Sequence, residues 1–552
     1  MKLRASLQTC GSRQKLVVVV PGWVHGSERL GDVVETVRGC LPDADILILD
    51  YPNGRFSNAN PHEIAVAMLD EVDGAVVARA ATGGYRGIIL IGYSMGSLLA
   101  RKLYVYARGM TQDAPGLQGS APKPWAHAVE RIVLFAGMNR GWSLAPKPEH
   151  MSHLACLRNR LLIRVVKTVG VARMIRSLER GSPFVVNLRL QWMDLAAGYR
   201  LADHDATVGM PETIQLLGTI DDLVSAKDSR DLQYHPDFIY RRLANANHVN
   251  IVDFAGNDGQ ARRSVVIEAL TAAKGKIPTD FPPARERDDE VEDVVMVMSG
   301  IRDRGFWTDG VADAVAAEGR RLGRKTVSVR SGYGYFAMLP FLLLKSRQRN
   351  VRWLMDEYVE AKSKWPKARF HYIGHSNGTY LLASALEQYR AAHVDHVVFA
   401  GSVVRCDYPW RQRVLDGQVR KAVNYVASND VVVSTFPGFL ERFGQDVGSA
   451  GHNGFDADEA RDLNFIAGGH GAAIRAECFA DMAAFVLSGT TPTSGLIVRR
   501  SGLAEWSGRL NWLVWIALLS TVVALGWVIM HHAGLSWLAL YVALLITLLC
   551  TV

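Results

Sequence analysis

Ile88-Ile-Leu-Ile-Gly-Tyr-Ser-Met-Gly-Ser97 and Phe370-His-Tyr-Ile-Gly-His-Ser-Asn-Gly-Thr379 are the two stretches on which the reading of this chain turns. In each, a short strand-like run meets Gly-x-Ser-x-Gly and then a helical pattern that starts at Ser97 or Thr379. The flanking glycines permit a sharp turn that a Cβ would obstruct. A serine on such a turn is lifted to the C-terminal edge of a sheet, with a helix N-terminus behind it.

Working outward, the surroundings of the two stretches match. Before the first lie the strand-like Leu16–Val20, then Pro21-Gly22-Trp23, a strand at Ile46–Leu49 and a helical region near 62–80. Before the second lie Val294–Met298, then Ser299-Gly300-Ile301, a strand at Thr326–Val329 and a helix near 350–364. Gly22 precedes Ser94 by 72 residues and Gly300 precedes Ser376 by 76. Later strands end alike, in Phe135-Ala136-Gly137 and Phe399-Ala400-Gly401. An internal repeat of apolar strands alternating with helices predicts parallel βαβ units. The Pro-rich and charged stretch 273–293, with Pro278, Pro282, Pro283 and Arg285–Glu290, reads as a linker between domains at 14–272 and 294–489.

At 552 residues the chain has room for two to four domains of about 150 residues each. With 49% hydrophobic and 21% charged residues, disordered and collagen-like chains are excluded. The net charge of +8 is spread along the chain and forms no stripe, so no nucleic-acid partner is expected. The six cysteines are scattered and show no metal spacing, which predicts a reduced compartment, and no cluster of residues implies a metal or organic cofactor. Leu16–Val20 is too short for the apolar part of a secretion signal.

The C-terminus differs in kind. Residues 510–530 and 535–552 carry no charge, and each run is about the ~20 residues that cross a bilayer as a helix. Trp512, Trp515, Trp527 and Trp537 lie towards their ends, where aromatic rings favour the headgroup level. A transmembrane helical hairpin over 510–552 is expected. Arg499, Arg500 and Arg509 precede it, which by the positive-inside bias puts the large N-terminal part in the cytoplasm.

On its two Gly-x-Ser-x-Gly turns and their context, the sequence resembles the α/β-hydrolase superfamily, of serine lipase and esterase type, over about 14–272 and again about 290–489. The resemblance implies an α/β fold: two tandem α/β-hydrolase domains, mostly parallel sheets flanked by helices, ahead of two C-terminal transmembrane helices. It also implies the chain order Ser, then Asp or Glu, then His. The first copy supplies Ser94, then Asp221 after the strand Thr213–Leu217, with Asp222 as its neighbouring alternative, then His248 before the last helix. The second supplies Ser376, Asp430 after Asn424–Val426, and His470 in Gly468-Gly469-His470-Gly471. His452 competes for that base role; His470 is preferred because it follows an apolar strand directly.

In that constellation the histidine takes the serine proton as the hydroxyl attacks an acyl carbon, and the aspartate orients the imidazole. Oxyanion donors are expected at the N–H after each serine, Met95 or Asn377, and near Trp23 or Ile301 in the loop after the early strand. Neither copy has the HGGG loop of many lipases, and Ser299-Gly300-Ile301-Arg302-Asp303 departs further than Pro21-Gly22-Trp23.

Serine and acid are 127 residues apart in the first copy and 54 in the second. The surplus falls mainly in about 139–205, where the resemblance implies a lid. That insertion holds Leu161–Lys167 and the cations Arg158, Arg160, Arg164, Lys167, Arg173, Arg176 and Arg180. It suits either a helix on an anionic membrane surface or a cap packed on its own domain. The apolar Tyr333–Leu344 reads as core or as an acyl-pocket wall, with core preferred. The expected function is a membrane-anchored serine hydrolase whose partners are the bilayer and a lipid or other acyl-ester substrate. Two alternatives stand beside it: a thioesterase or peptidase acting on membrane-proximal proteins, and a non-catalytic binding or regulatory role for one or both copies.

Overall fold

The computed structural model describes residues 3–10, 14–23, 26–54, 57–81, 83–141, 173–198, 209–221, 238–281, 287–301, 305–330, 344–441, 444–491, 498, 500 and 511–551. They form two compact units, Met1–Arg287 and Asp288–Val552.

The first unit is built on a seven-stranded sheet: β1 (Arg4–Gln8), β2 (Lys15–Val20), β3 (Ala44–Asp50), β4 (Gly87–Tyr93), β5 (Val129–Phe135), β6 (Glu212–Gly218) and β7 (Phe238–Leu243). The spatial order is β1-β3-β2-β4-β5-β6-β7. β1 runs antiparallel to β3, and the other pairs are parallel. Alternation along β2 divides its buried side chains between two cores. Leu16, Val18 and Val20 face the helices Pro61–Ala80, Met95–Ala107 and Pro183–Ala196, while Val17 and Val19 face Gly31–Cys40 and Gly256–Thr271. Helices on both faces explain why the central strands read as unbroken apolar runs.

The helix Met95–Ala107 is buried along its whole length, and so is the polar side chain of Lys102. Its Nζ donates to Asp113 Oδ2 and Gln191 Oε1, both at 2.6 Å. Beside it, His62 Nδ1 lies 2.9 Å from the Tyr106 hydroxyl. Burial, reinforced by the Lys102 cation and opposed by Asp113, lowers the His62 pKa to about 4.

The second unit holds β8 (Asp293–Met298), β9 (Thr326–Arg330), β10 (Arg369–His375), β11 (Val394–Ala400), β12 (Val419–Ala427) and β13 (Ala460–Ile466). Their order is β13-β12-β11-β10-β8-β9, and all are parallel. Read from the first strand of each set, β8–β13 repeat the order of β2–β7. In both sheets the order reverses between the first strand and the one that delivers the serine, the kind of switch point where open α/β sheets bind ligands. The helices Phe306–Arg321 and Ala476–Ser488 share one core with Val295, Val297, Ile373 and Val398.

The C-terminal segment forms the helices Asn511–Ala533 and Leu535–Thr551, joined at Gly534 with φ +88°. The expectation of two crossing helices meets the length criterion in one. Trp515–Ala533 has 19 residues at a mean hydropathy of 1.7, none of it buried in the protein. The second helix has 17 residues. It runs to Thr551, the last described residue.

Candidate active site

Each serine sits alone between a strand and a helix. Ser94 joins β4 to Met95–Ala107 with φ 52° and ψ −118°, and Ser376 joins β10 to Asn377–Gln388 with φ 53° and ψ −121°. The helices thus begin two residues earlier than the sequence pattern indicates. Positive φ at a residue with a Cβ is strained, costing about 1–3 kcal/mol, and persists only where surroundings impose it. Here the neighbouring strand does so: Ser94 N–H donates to Phe135 O at 2.8 Å and Ser376 N–H to Ala400 O at 3.0 Å. The second glycine of each motif lets the helix close on the sheet. A Cβ on Gly96 would run into the carbonyls of Val20 and Pro21, and one on Gly378 would lie 2.6 Å from Met298 O.

In the first unit three expected residues meet. His248 Nε2 is 2.9 Å from Ser94 Oγ, and His248 Nδ1 is 3.1 Å from Asp221 Oδ2. Ser94 and His248 are buried. Asp221 lies three residues past β6, in a turn fixed by Thr219 N–H to Leu243 O and Ile220 N–H to Ala246 O. The turn carrying His248 is fixed by Asn247, whose Oδ1 accepts from the N–H groups of Val249 and Asn250. A carboxylate can only accept, so Nδ1 carries the proton and Nε2 is left to accept from the serine hydroxyl. Asp222 lies outside the described residues.

Four hydrogen bonds here have no counterpart in the sequence reading. The Tyr93 hydroxyl donates to His248 O at 2.8 Å, and burial pushes its pKa up to about 12, keeping it a donor. The loop that carries Trp23 is also pinned. Tyr51 OH donates to Pro21 O at 2.8 Å, Asn53 Nδ2 to Gly22 O at 3.0 Å, and Trp23 Nε1 to Gly54 O at 3.2 Å. Gly22 presses against the elbow, since a Cβ there would lie 2.9 Å from Tyr93 Cδ1 and 3.2 Å from Ser94 Cβ. Trp23 follows Gly22, and Met95 follows Ser94, so both expected oxyanion donors sit on segments that meet at the serine.

The second unit repeats part of this. His470 Nδ1 is 2.9 Å from the fully buried Asp430, through Oδ2, while Asp430 Oδ1 accepts from Val433 N–H at 2.9 Å. His452, buried on Ala450–Asn453, is not the partner of that carboxylate. No hydrogen bond joins His470 Nε2 to Ser376 Oγ in this structure, so the relay stops one link short. His375, the residue before the serine, donates through Nε2 to His470 O at 3.2 Å. That repeats the relation of Tyr93 to His248. Gly300 crowds Ser376 as Gly22 crowds Ser94: a Cβ would fall 2.7 Å from Ser376 Cβ. This brings Ile301 and the buried Asn377 beside it.

Of the insertion at 139–205, the helix Pro183–Ala196 is packed into the core of its unit, opened by Ser182 Oγ accepting from Val185 N–H. Leu161–Lys167 with Arg158 and Arg160, and most of Tyr333–Leu344, lie outside the described residues. Among the described residues no group of three or more His, Cys, Asp or Glu could hold a metal ion.

No protein-family model matches the chain, and no curated protein matches it. Solved structures with a similar fold over about half of it are α/β hydrolases. Est1E from Butyrivibrio proteoclasticus is 14% identical, covers 49% of this chain and 95% of its own, and has a TM-score of 0.29. A monoglyceride lipase from Saccharomyces cerevisiae is 9% identical, covers 49% and 91%, and has a TM-score of 0.32. The RedJ thioesterase from Streptomyces coelicolor is 15% identical, covers 47% and 87%, and has a TM-score of 0.28.

Proposed function

We propose that this protein is a serine hydrolase that cleaves carboxylic esters of lipids while held at a membrane by its C-terminal hairpin. The observation that carries the reading is the unbroken relay from Asp221 through His248 to Ser94. Ser94 Oγ attacks the acyl carbon as His248 Nε2 takes its proton, and Asp221 stabilises the imidazolium. The N–H groups of Met95 and Trp23 receive the oxyanion. His248 then returns the proton to the leaving alcohol, and a water deprotonated by the same nitrogen releases the acid.

Ser376, Asp430 and His470 are a second site of the same kind, with Asn377 and Ile301 as oxyanion donors. There His470 must close on Ser376 before attack, so the first site is the faster one. The apolar helix Asn511–Ala533 supports the membrane part of the reading. The apolar Leu535–Thr551 returns across the bilayer, and the arginines before the hairpin keep both sites cytoplasmic.

Labelling the detergent-solubilised chain with a fluorophosphonate tests the proposal. Wild type, Ser94→Ala, Ser376→Ala and the double variant are compared, with the adduct located by mass spectrometry. A dominant adduct on Ser94 is expected. A folded wild-type protein with no adduct on either serine overturns the reading.

A further inference from the structure

Asp430 opens an apolar stretch, Val431-Val-Val-Ser-Thr-Phe-Pro-Gly-Phe-Leu-Glu441, folded as the short helices Val431–Thr435 and Pro437–Glu441. Val431 and Val432 are 46% and 52% exposed, whereas Val433, Ser434, Pro437 and Gly438 in the same stretch are buried. The stretch is clasped by Trp515 of the C-terminal helix. Trp515 Nε1 donates to Thr435 O at 2.8 Å, and the indole stacks on Phe439 with centroids 5.2 Å apart and lies 5.4 Å from Phe436.

Trp515 also lies near the N-terminal end of the helix Asn511–Ala533, at the head of the 19-residue apolar stretch Trp515–Ala533. A tryptophan at the start of such a stretch takes the headgroup level, with its ring in the apolar boundary and its N–H on a polar partner. Whatever packs on Trp515 shares that level. We propose that Val431–Thr435 lies against the bilayer, with Val431 and Val432 inserted at the boundary between headgroups and acyl chains. This rests on the anchoring reading above and deepens it: the second site faces a lipid surface directly.

The geometry couples this contact to the chemistry. The carboxylate that holds His470 also caps the helix, through Val433 N–H, so the acid and the membrane contact are one turn of helix apart. A substrate reaching Ser376 comes from the bilayer plane, which fits an acyl ester embedded in it.

The test uses the full chain in phosphatidylcholine vesicles, with the photoreactive residue p-benzoylphenylalanine at one of three exposed positions. Val432 is the proposed contact and Leu519 lies within the apolar helix. Leu415 is 72% exposed at the end of the helix Trp410–Leu415, ahead of β12, whose nine residues at ~3.3 Å each put about 30 Å of strand between that helix and the turn that carries Asp430. After illumination, lipid adducts are expected at 432 and 519, several-fold above 415. Trp515→Ala is expected to lower the 432 adduct and spare that at 519. An adduct at 519 alone, or equal adducts at 415 and 432, overturns the docking of Val431–Thr435 and leaves the anchor standing. No adduct at 519 overturns the anchoring reading itself.

Discussion

Tyr93 reaches past the serine it precedes and donates its phenolic hydrogen to the main-chain carbonyl of His248, 155 residues further along, at 2.8 Å. The bond fixes where the imidazole stands before any substrate arrives. Tyr93 touches no reacting atom; it is a positioning residue. Tyr93→Phe keeps the ring and removes this bond, a loss of about 1 kcal/mol. The expected result is a several-fold lower kcat on a simple ester with KM unchanged, because the histidine wanders while the acyl pocket stays intact. An unchanged kcat means that the Asn247 turn holds His248 without help.

Asp221 fixes the tautomer of His248, so Asp221→Asn is expected to slow fluorophosphonate labelling of Ser94 by roughly 10³–10⁴-fold. Asp430→Asn, in the other unit, is expected to leave the Ser94 rate as it was. Equal effects of the two variants on Ser94 contradict two separate relays.

The backbone at Ser94 is strained only because serine has a Cβ. Ser94→Gly and Ser94→Ala both lack the nucleophile, yet the glycine variant is expected to be about 1 kcal/mol more stable to denaturant. Equal midpoints would show that the φ of 52° carries no cost.

His62 makes the first unit sensitive to acid. Its folded pKa is about 4, below the ordinary 6.5 of an exposed histidine. As the pH falls from 6.5 to 4 the unfolded chain binds this proton and the folded chain does not, so stability falls over that window, by on the order of 3 kcal/mol at most. His62→Phe is expected to flatten the decline in unfolding free energy measured across this range. A slope identical to wild type would rule out His62 as its source.

Much of the site could be read from sequence because its signals are local. A strand, a glycine-flanked serine and a helix lie within ten residues, and Asp221, His248, Asp430 and His470 each follow a strand within a few residues. What escaped is non-local. Nothing around Tyr93 or His375 marks the histidine carbonyl each will reach. Lys102 reads as a helix surface residue until Asp113 and Gln191 close over it. The open link at Ser376 is a matter of side-chain placement, which spacing does not encode. β1 went unread because Arg4-Ala-Ser-Leu-Gln8 lacks an apolar run. A strand that lies mostly in water needs none.

That strand has a consequence for the rest of the sheet. β3, with Ile46 and Ile48 buried, would otherwise end the sheet with a bare row of amides and carbonyls, the ready template for joining another molecule strand to strand. β1 takes up that row in the opposite direction and presents Arg4, Ala5 and Ser6 outward. The least buried strand of the unit is thus a selvedge: it contributes little to the core, and its own outer edge, five residues long and opened by Arg4, is a poorer template than the apolar strand it covers.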